Sequence, residues 1–184
     1  MYGPSAARTL YLASAVGHGT TELGAFDHAL ACVGAANFNL VRLSSVIPPG
    51  SVVEPCERLP SGEIGDWGDR LHVVYAAQAA GEPGQEAWAG VGWVRDPVTG
   101  RGLFVEHEGL EEHAVRADIK ASLDDLQVTR GIDFGEQHSV VVGGSCVGTP
   151  ICALVLCGFS AVSWRPDSAQ RCWPVAPRRQ PVRP

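Results

Sequence analysis

The run Ser44-Ser45-Val46-Ile47-Pro48-Pro49-Gly50, entered through Asn37-Phe38-Asn39-Leu40-Val41-Arg42-Leu43, constrains this chain more than any other stretch. Its apolar, partly β-branched residues predict a strand over residues 38–47. Neither proline can donate to a sheet ladder, so Pro48-Pro49-Gly50 must end the strand and turn the chain. The paired serines therefore fall near the end of an extended segment. One reading of them is local: their hydroxyls satisfy the backbone of the turn.

A second reading is chemical. In a strained Ser-Ser bond, the hydroxyl of the second serine can attack the preceding carbonyl and form an ester. β-Elimination then releases the first serine as a new carboxyl terminus and leaves dehydroalanine. Hydrolysis of dehydroalanine leaves a pyruvoyl group at a new amino terminus. Such a group is an electrophile built from the chain itself, a substitute for a bound aldehyde cofactor.

Periodicity supplies the elements around this run. Strands are expected over residues 9–16, 71–79, 86–94, 102–106, 138–142 and 150–159, and the last is apolar throughout, as a central strand is. Residues 17–21 read as a turn. A helix is expected over residues 22–33, with Leu23, Phe26, Leu30 and Val33 as its stripe and Gly34 as its stop. A second helix is expected over residues 111–130, striped by Val115, Ile119, Leu123 and Leu126. Many strands with two amphipathic helices imply a layered α+β fold. The stretch 164–184 is rich in proline and arginine and is expected to be a flexible tail after a domain over residues 1–163.

Composition bounds the partners. The chain has 184 residues, which fits one domain, and its 45% hydrophobic content suits a packed core. A net charge of −6 argues against nucleic acid as the main partner. No run reaches the length of a membrane span, and the short apolar stretch after Arg8 is too weakly flanked for a signal peptide. The six cysteines form no CxxC pair and the six histidines show no ligand spacing, so no metal site is expected. Scattered cysteines in apolar runs suggest reduced thiols and a cytoplasmic protein.

Three further elements flank the serines in a fixed order. Leu23-Gly24-Ala25-Phe26-Asp27-His28-Ala29-Leu30 precedes them; Leu59-Pro60-Ser61-Gly62 and Gly102-Leu103-Phe104-Val105-Glu106-His107-Glu108-Gly109 follow. With Asn39-Leu40-Val41-Arg42-Leu43-Ser44-Ser45-Val46-Ile47-Pro48-Pro49, this order resembles the pyruvoyl-dependent arginine decarboxylases over residues 10–159. The resemblance implies a four-layer αββα sandwich, cut between Ser44 and Ser45 into a β chain (1–44) and an α chain (45 onward). It implies a homotrimer or a dimer of trimers with sites between subunits. It also implies a pyruvoyl cofactor made from Ser45, on which the substrate amine forms a Schiff base, and conversion of L-arginine to agmatine and carbon dioxide. Agmatine would feed polyamine synthesis, acid resistance or a specialised product.

Site roles follow on the same terms. Glu106 matches the proton donor; an apolar strand end can keep its carboxyl partly protonated. Alternation puts Glu108 on the same face and His107 opposite. Asp27 borders the helix stripe and matches the group that grips the guanidinium; an ion pair with Arg42 is the structural alternative. Asn39 is expected to bond the Ser44 carbonyl or the substrate, and Leu23, Leu30 and Val46 to line the pocket. The family often has glycine where this chain has Ala36, which leaves open another amino acid as substrate. An uncleaved trimeric scaffold or binding protein that keeps only the fold is the remaining alternative.

Overall fold

The computed structural model describes residues 8–164 and 169–174. It is a mixed arrangement of two helices and two sheets. Strand β1 (Arg8–His18) leads into helix α1 (Glu22–Val33). Thr21 starts the helix by accepting a hydrogen bond from the Gly24 N–H at 3.0 Å, and Gly34, at φ 84°, ends it. Short strands β2 (Asn39–Arg42) and β3 (Val46–Ile47) follow, then β4 (Ser51–Cys56) and a 3₁₀ turn (Ser61–Glu63). Long strands β5 (Arg70–Ala80), β6 (Glu86–Arg95) and β7 (Gly102–Gly109) precede helix α2 (Glu112–Arg130). Strands β8 (Gln137–Ser145) and β9 (Ile151–Val162) complete the set.

The first sheet has the order β2-β5-β9-β1-β4, with β1·β4 and β2·β5 parallel. The second, β3-β7-β6-β8, is antiparallel throughout. As its apolar run predicts, β9 is central, and every residue from Ile151 to Ala161 is buried.

Three apolar clusters hold these elements together. Leu10, Leu12, Val74 and Val155 of the first sheet meet Val91, Trp93 and Phe104 of the second. Ala29, Leu30 and Val33 of α1 pack on Leu71, Val73, Leu154 and Leu156. Val115, Ile119 and Leu123 of α2 pack on Val94, Leu103 and Val105. Each large aliphatic side chain buried in this way contributes ~1.5–3 kcal/mol. No helix among the described residues is long and apolar enough to cross a membrane.

Four expectations need correction. The segment 38–47 is not one strand: it divides into β2 in the first sheet and β3 in the second, with Ser44 and Ser45 at the crossing. Gly17 and His18 still belong to β1, because they pair with Cys152 and Ile151 of β9. Strand β4 was not anticipated, since Pro55 lies within it. The proline is tolerated because β4 is an edge strand, where one backbone donor has no ladder partner to supply. Finally, the tail expected to be loose from residue 164 is docked over residues 169–174, where Trp173 is 1% exposed. The rest of that expectation lies outside the described residues.

α1 reaches β1 through a backbone approach at Gly17. A Cβ there would come 2.1 Å from the Ala25 carbonyl oxygen and 2.4 Å from the Ala29 nitrogen. Backbone cannot rotate out of the way as a side chain can. Gly17→Ala should therefore destabilise the protein by about 3 kcal/mol, read as a lower urea midpoint. An unchanged midpoint would mean that α1 is free to lift off β1.

Candidate active site

The chain passes from one sheet to the other within a few residues. The Leu43 N–H donates to the Val73 carbonyl of β5 at 2.8 Å, the last tie to the first sheet. The Ser45 carbonyl accepts from the Phe104 N–H of β7 at 2.8 Å, the first tie to the second. Ser44 lies between these anchors and is exposed. Ser45 takes φ 68°, the left-handed region, and is the one non-glycine residue with positive φ among those described. An L-residue there carries roughly 1–2 kcal/mol of strain.

That backbone setting aims the Ser45 hydroxyl at Glu106. Ser45 Oγ lies 2.7 Å from Glu106 Oε1 and 2.8 Å from Oε2, so it donates to a carboxylate that brackets it. Glu106 stands on β7 opposite Val91 of β6, on the face that carries Phe104 into the inter-sheet cluster. Burial there pushes its carboxyl above the ordinary carboxylate pKa; the Ser45 hydrogen bond and the nearby Arg42 charge oppose the shift without cancelling it.

Alternation along β7 places its neighbours. His107 points the other way and its Nε2 pairs with Ser122 Oγ of α2 at 2.8 Å, while Glu108 is exposed. His107 is thus half-buried against α2. Arg42 lies over the Tyr75 ring, 5.0 Å from its centroid.

The other site residues are placed less closely. Leu30 is buried under α1, whereas Leu23 is 76% exposed and Asp27 is exposed on the same helix. The buried face of α1 is Ala25, Ala29, Leu30 and Val33, because small alanines let the helix sit close to its sheet. The expected stripe through Leu23 therefore does not form, and Asp27 shares an open face with Leu23. Among the described residues no ion pair joins Asp27 to Arg42, and no hydrogen bond joins Asp27 to Ser45 or Glu106. Val46, next to Ser45, is 55% exposed.

Asn39 does not reach Ser44. Its Nδ2 donates to the Gly68 carbonyl at 2.6 Å, which ties β2 to the loop before β5. Ala36 lines a cleft of about 300 Å³ with Asn37, Phe38, Arg58 and Trp67, on the α1 side of the first sheet. The Leu59-Pro60-Ser61-Gly62 element closes the same region: Ser61 Oγ donates to the Gly34 carbonyl at 2.7 Å, and the Leu59 N–H to the Val33 carbonyl. The Phe104 N–H could not be foreseen from the residues, because a backbone donor has no side-chain signature.

The site is thus a strained serine bonded to a half-buried carboxyl, at a crossing between two sheets. Residues 9–161 match the model for pyruvoyl-dependent arginine decarboxylases, and the chain belongs to that family. A pyruvoyl-dependent arginine decarboxylase of Halobacterium salinarum is 42% identical over 118 residues. That match covers 62% of this chain and 64% of the relative, so less than two thirds of the relative's length is spanned. Those of Thermococcus sibiricus and Thermococcus kodakarensis are 39% and 37% identical over 145 and 127 residues. These matches cover 78% and 68% of this chain, and 89% and 78% of the relatives.

Backbone strain and hydrogen bonding at Ser45 can be separated. Ser45→Ala removes the hydroxyl and keeps the strain; Ser45→Gly removes both. By equilibrium urea unfolding, Ser45→Gly should be more stable than Ser45→Ala by about 1 kcal/mol. Equal stabilities would mean that the left-handed turn stores nothing.

Proposed function

We propose that this chain is a self-processing, pyruvoyl-dependent decarboxylase that converts L-arginine to agmatine and carbon dioxide. The observation that carries the reading is the Ser45 hydroxyl, held by both oxygens of Glu106 on a residue at φ 68°. The archaeal relatives, named as pyruvoyl-dependent arginine decarboxylases, support the same choice.

In the whole chain, Glu106 is placed to take the Ser45 hydroxyl proton as Oγ attacks the Ser44 carbonyl carbon. The Phe104 N–H fixes the Ser45 carbonyl while this happens. Scission would leave a β chain of residues 1–44 and an α chain from residue 45. The residues fit a pyruvoyl group at position 45: its amide carbonyl would be the Ser45 carbonyl already held by the Phe104 N–H, and its methyl carbon would be the Ser45 Cβ that faces Glu106. Such a group supplies an electrophilic carbonyl and an electron sink for the loss of carbon dioxide. Glu106, its pKa raised by burial, then holds a proton close to the reacting carbon and can deliver it after carbon dioxide leaves.

Asp27 is the proposed guanidinium ligand, with Leu23, Leu30, Val46 and Asn39 as the surrounding wall. In one chain Leu23, Asp27, Asn39 and Val46 face outward. That exposure supports sites completed by a neighbouring copy, in a homotrimer or a dimer of trimers. The three apolar clusters support the αββα order of layers. Six free cysteines fit a cytoplasmic setting. Ala36 belongs to the cleft by Arg58 and Trp67, so its methyl group gives no separate support for a different substrate.

Two experiments test the reading. Intact mass should give two fragments, one beginning with pyruvoyl in place of Ser45, and Ser45→Ala should remain whole; normal cleavage of that variant would end the proposal. Glu106 must be ionised to accept the Ser45 proton and protonated to donate one. Its folded pKa lies above the usual 4.5. Self-cleavage should therefore accelerate, and turnover of cleaved enzyme decline, as pH rises through the raised pKa, above the ordinary carboxylate range. Glu106→Gln should slow self-cleavage, and the fraction of it that is cleaved should lose ~10²–10⁴-fold in kcat. Turnover near the parent's would assign the proton to another group.

The substrate is tested through Asp27→Asn on cleaved protein. Loss of one charged hydrogen bond should lower kcat/KM for arginine by ~10- to 150-fold. A neutral amino acid should be affected far less. An equal loss for arginine, lysine and a neutral analogue would make Asp27 structural.

A further inference from the structure

The family match ends at residue 161, yet residues 169–174 are bound to the body of the protein at several points. Trp173 is 1% exposed and joins the cluster under α1. Its Nε1 donates to the Pro60 carbonyl at 3.1 Å. Its ring covers Gly158, where a Cβ would lie 2.8 Å from the ring, and stands edge-on to Tyr11 at 5.3 Å between centroids. Arg171 exchanges two backbone hydrogen bonds with Ala161 at the end of β9, and Gln170 Nε2 donates to Ser160 Oγ at 2.6 Å.

These contacts fall on two sides of the Ser44–Ser45 bond. Pro60, Gly158, Ser160 and Ala161 lie after it, on the same fragment as the segment itself. Arg8, Thr9 and Tyr11 lie before it. The Thr9 N–H donates to the Trp173 carbonyl at 3.1 Å, Thr9 Oγ1 donates to the Pro174 carbonyl at 3.0 Å, and Arg8 forms a bridge with Pro174. Thr9 is 1% exposed, so water does not compete for these bonds.

We propose that residues 169–174 are a clasp: anchored in their own fragment through Trp173, they grip the start of β1 and retain the N-terminal fragment once Ser44–Ser45 is cut. This inference rests on the self-cleavage reading above. A whole chain needs no such device, because residue 45 follows residue 44 covalently. A cut chain holds residues 1–44 only by contacts, and the start of β1 is where a free strand would fray first.

The test uses processed protein and the rate at which the 1–44 fragment leaves in sub-denaturing urea, followed by size exclusion and mass. Thr9→Val keeps shape and removes the bond to Pro174; release should quicken about fivefold. Trp173→Ala removes the anchor; release should quicken on the order of a hundredfold. Should Trp173→Ala fail to fold, Thr9→Val decides alone. Parent-like release from both variants, or from Thr9→Val where it stands alone, would overturn the clasp and leave self-cleavage untouched. A parent chain that stays whole by mass would overturn both.

Discussion

The structure turns on one crossing. The chain leaves the first sheet at Leu43, whose N–H is held by Val73, and enters the second at Ser45, whose carbonyl is held by Phe104. Both anchors belong to long, well-packed strands, so neither can yield to relax the residues between them. The left-handed backbone of Ser45 is the result. Its hydroxyl then has one direction to point, and Glu106 stands there. Strain and hydrogen bond share a single origin, a short link stretched between two rigid layers, while burial on β7 raises the carboxyl pKa against that bond.

On the proposed chemistry one carboxyl serves two steps, and its setting suits both. Glu106 stands where the inter-sheet core meets solvent, so it is desolvated but not isolated. A fully exposed glutamate would hold no proton near neutrality; a fully buried one would not exchange it. Alternation sends His107 to the α2 side and leaves Glu108 in solvent, so the strand presents a single carboxyl to the serine.

Much of this was legible in the sequence, and the exceptions have physical causes. Long strands and both helices follow from periodicity, because β5, β6, β9 and α2 carry their burial pattern in their own residues. The division of residues 38–47 between two sheets was not legible, because strand propensity is the same whichever sheet a residue joins. β4 was hidden by Pro55, which an edge position excuses. On α1, alanines rather than large side chains form the buried face, so the eye follows Leu23 to the wrong side. Glu106 was singled out by the family resemblance, since its place at a strand end alone is as well met by a solvated glutamate. Its partner bond to Ser45 was not legible, since the two lie 61 residues apart. The docking of Trp173 left no local trace, because the space that receives it is set by a distant Gly158.

The strand order of the first sheet carries a consequence for the timing of synthesis. β9, the last strand among the described residues, lies between β5 and β1, so the sheet cannot close until residues 151–162 have been made. A nascent chain on the ribosome exposes Ser44 and Ser45 long before the core that stretches them exists. On the proposed chemistry the scissile bond therefore stays unreactive through translation and becomes reactive when the final strand inserts. Scission would then act as a proofreading mark, borne by molecules that were completed and folded and absent from those that stalled.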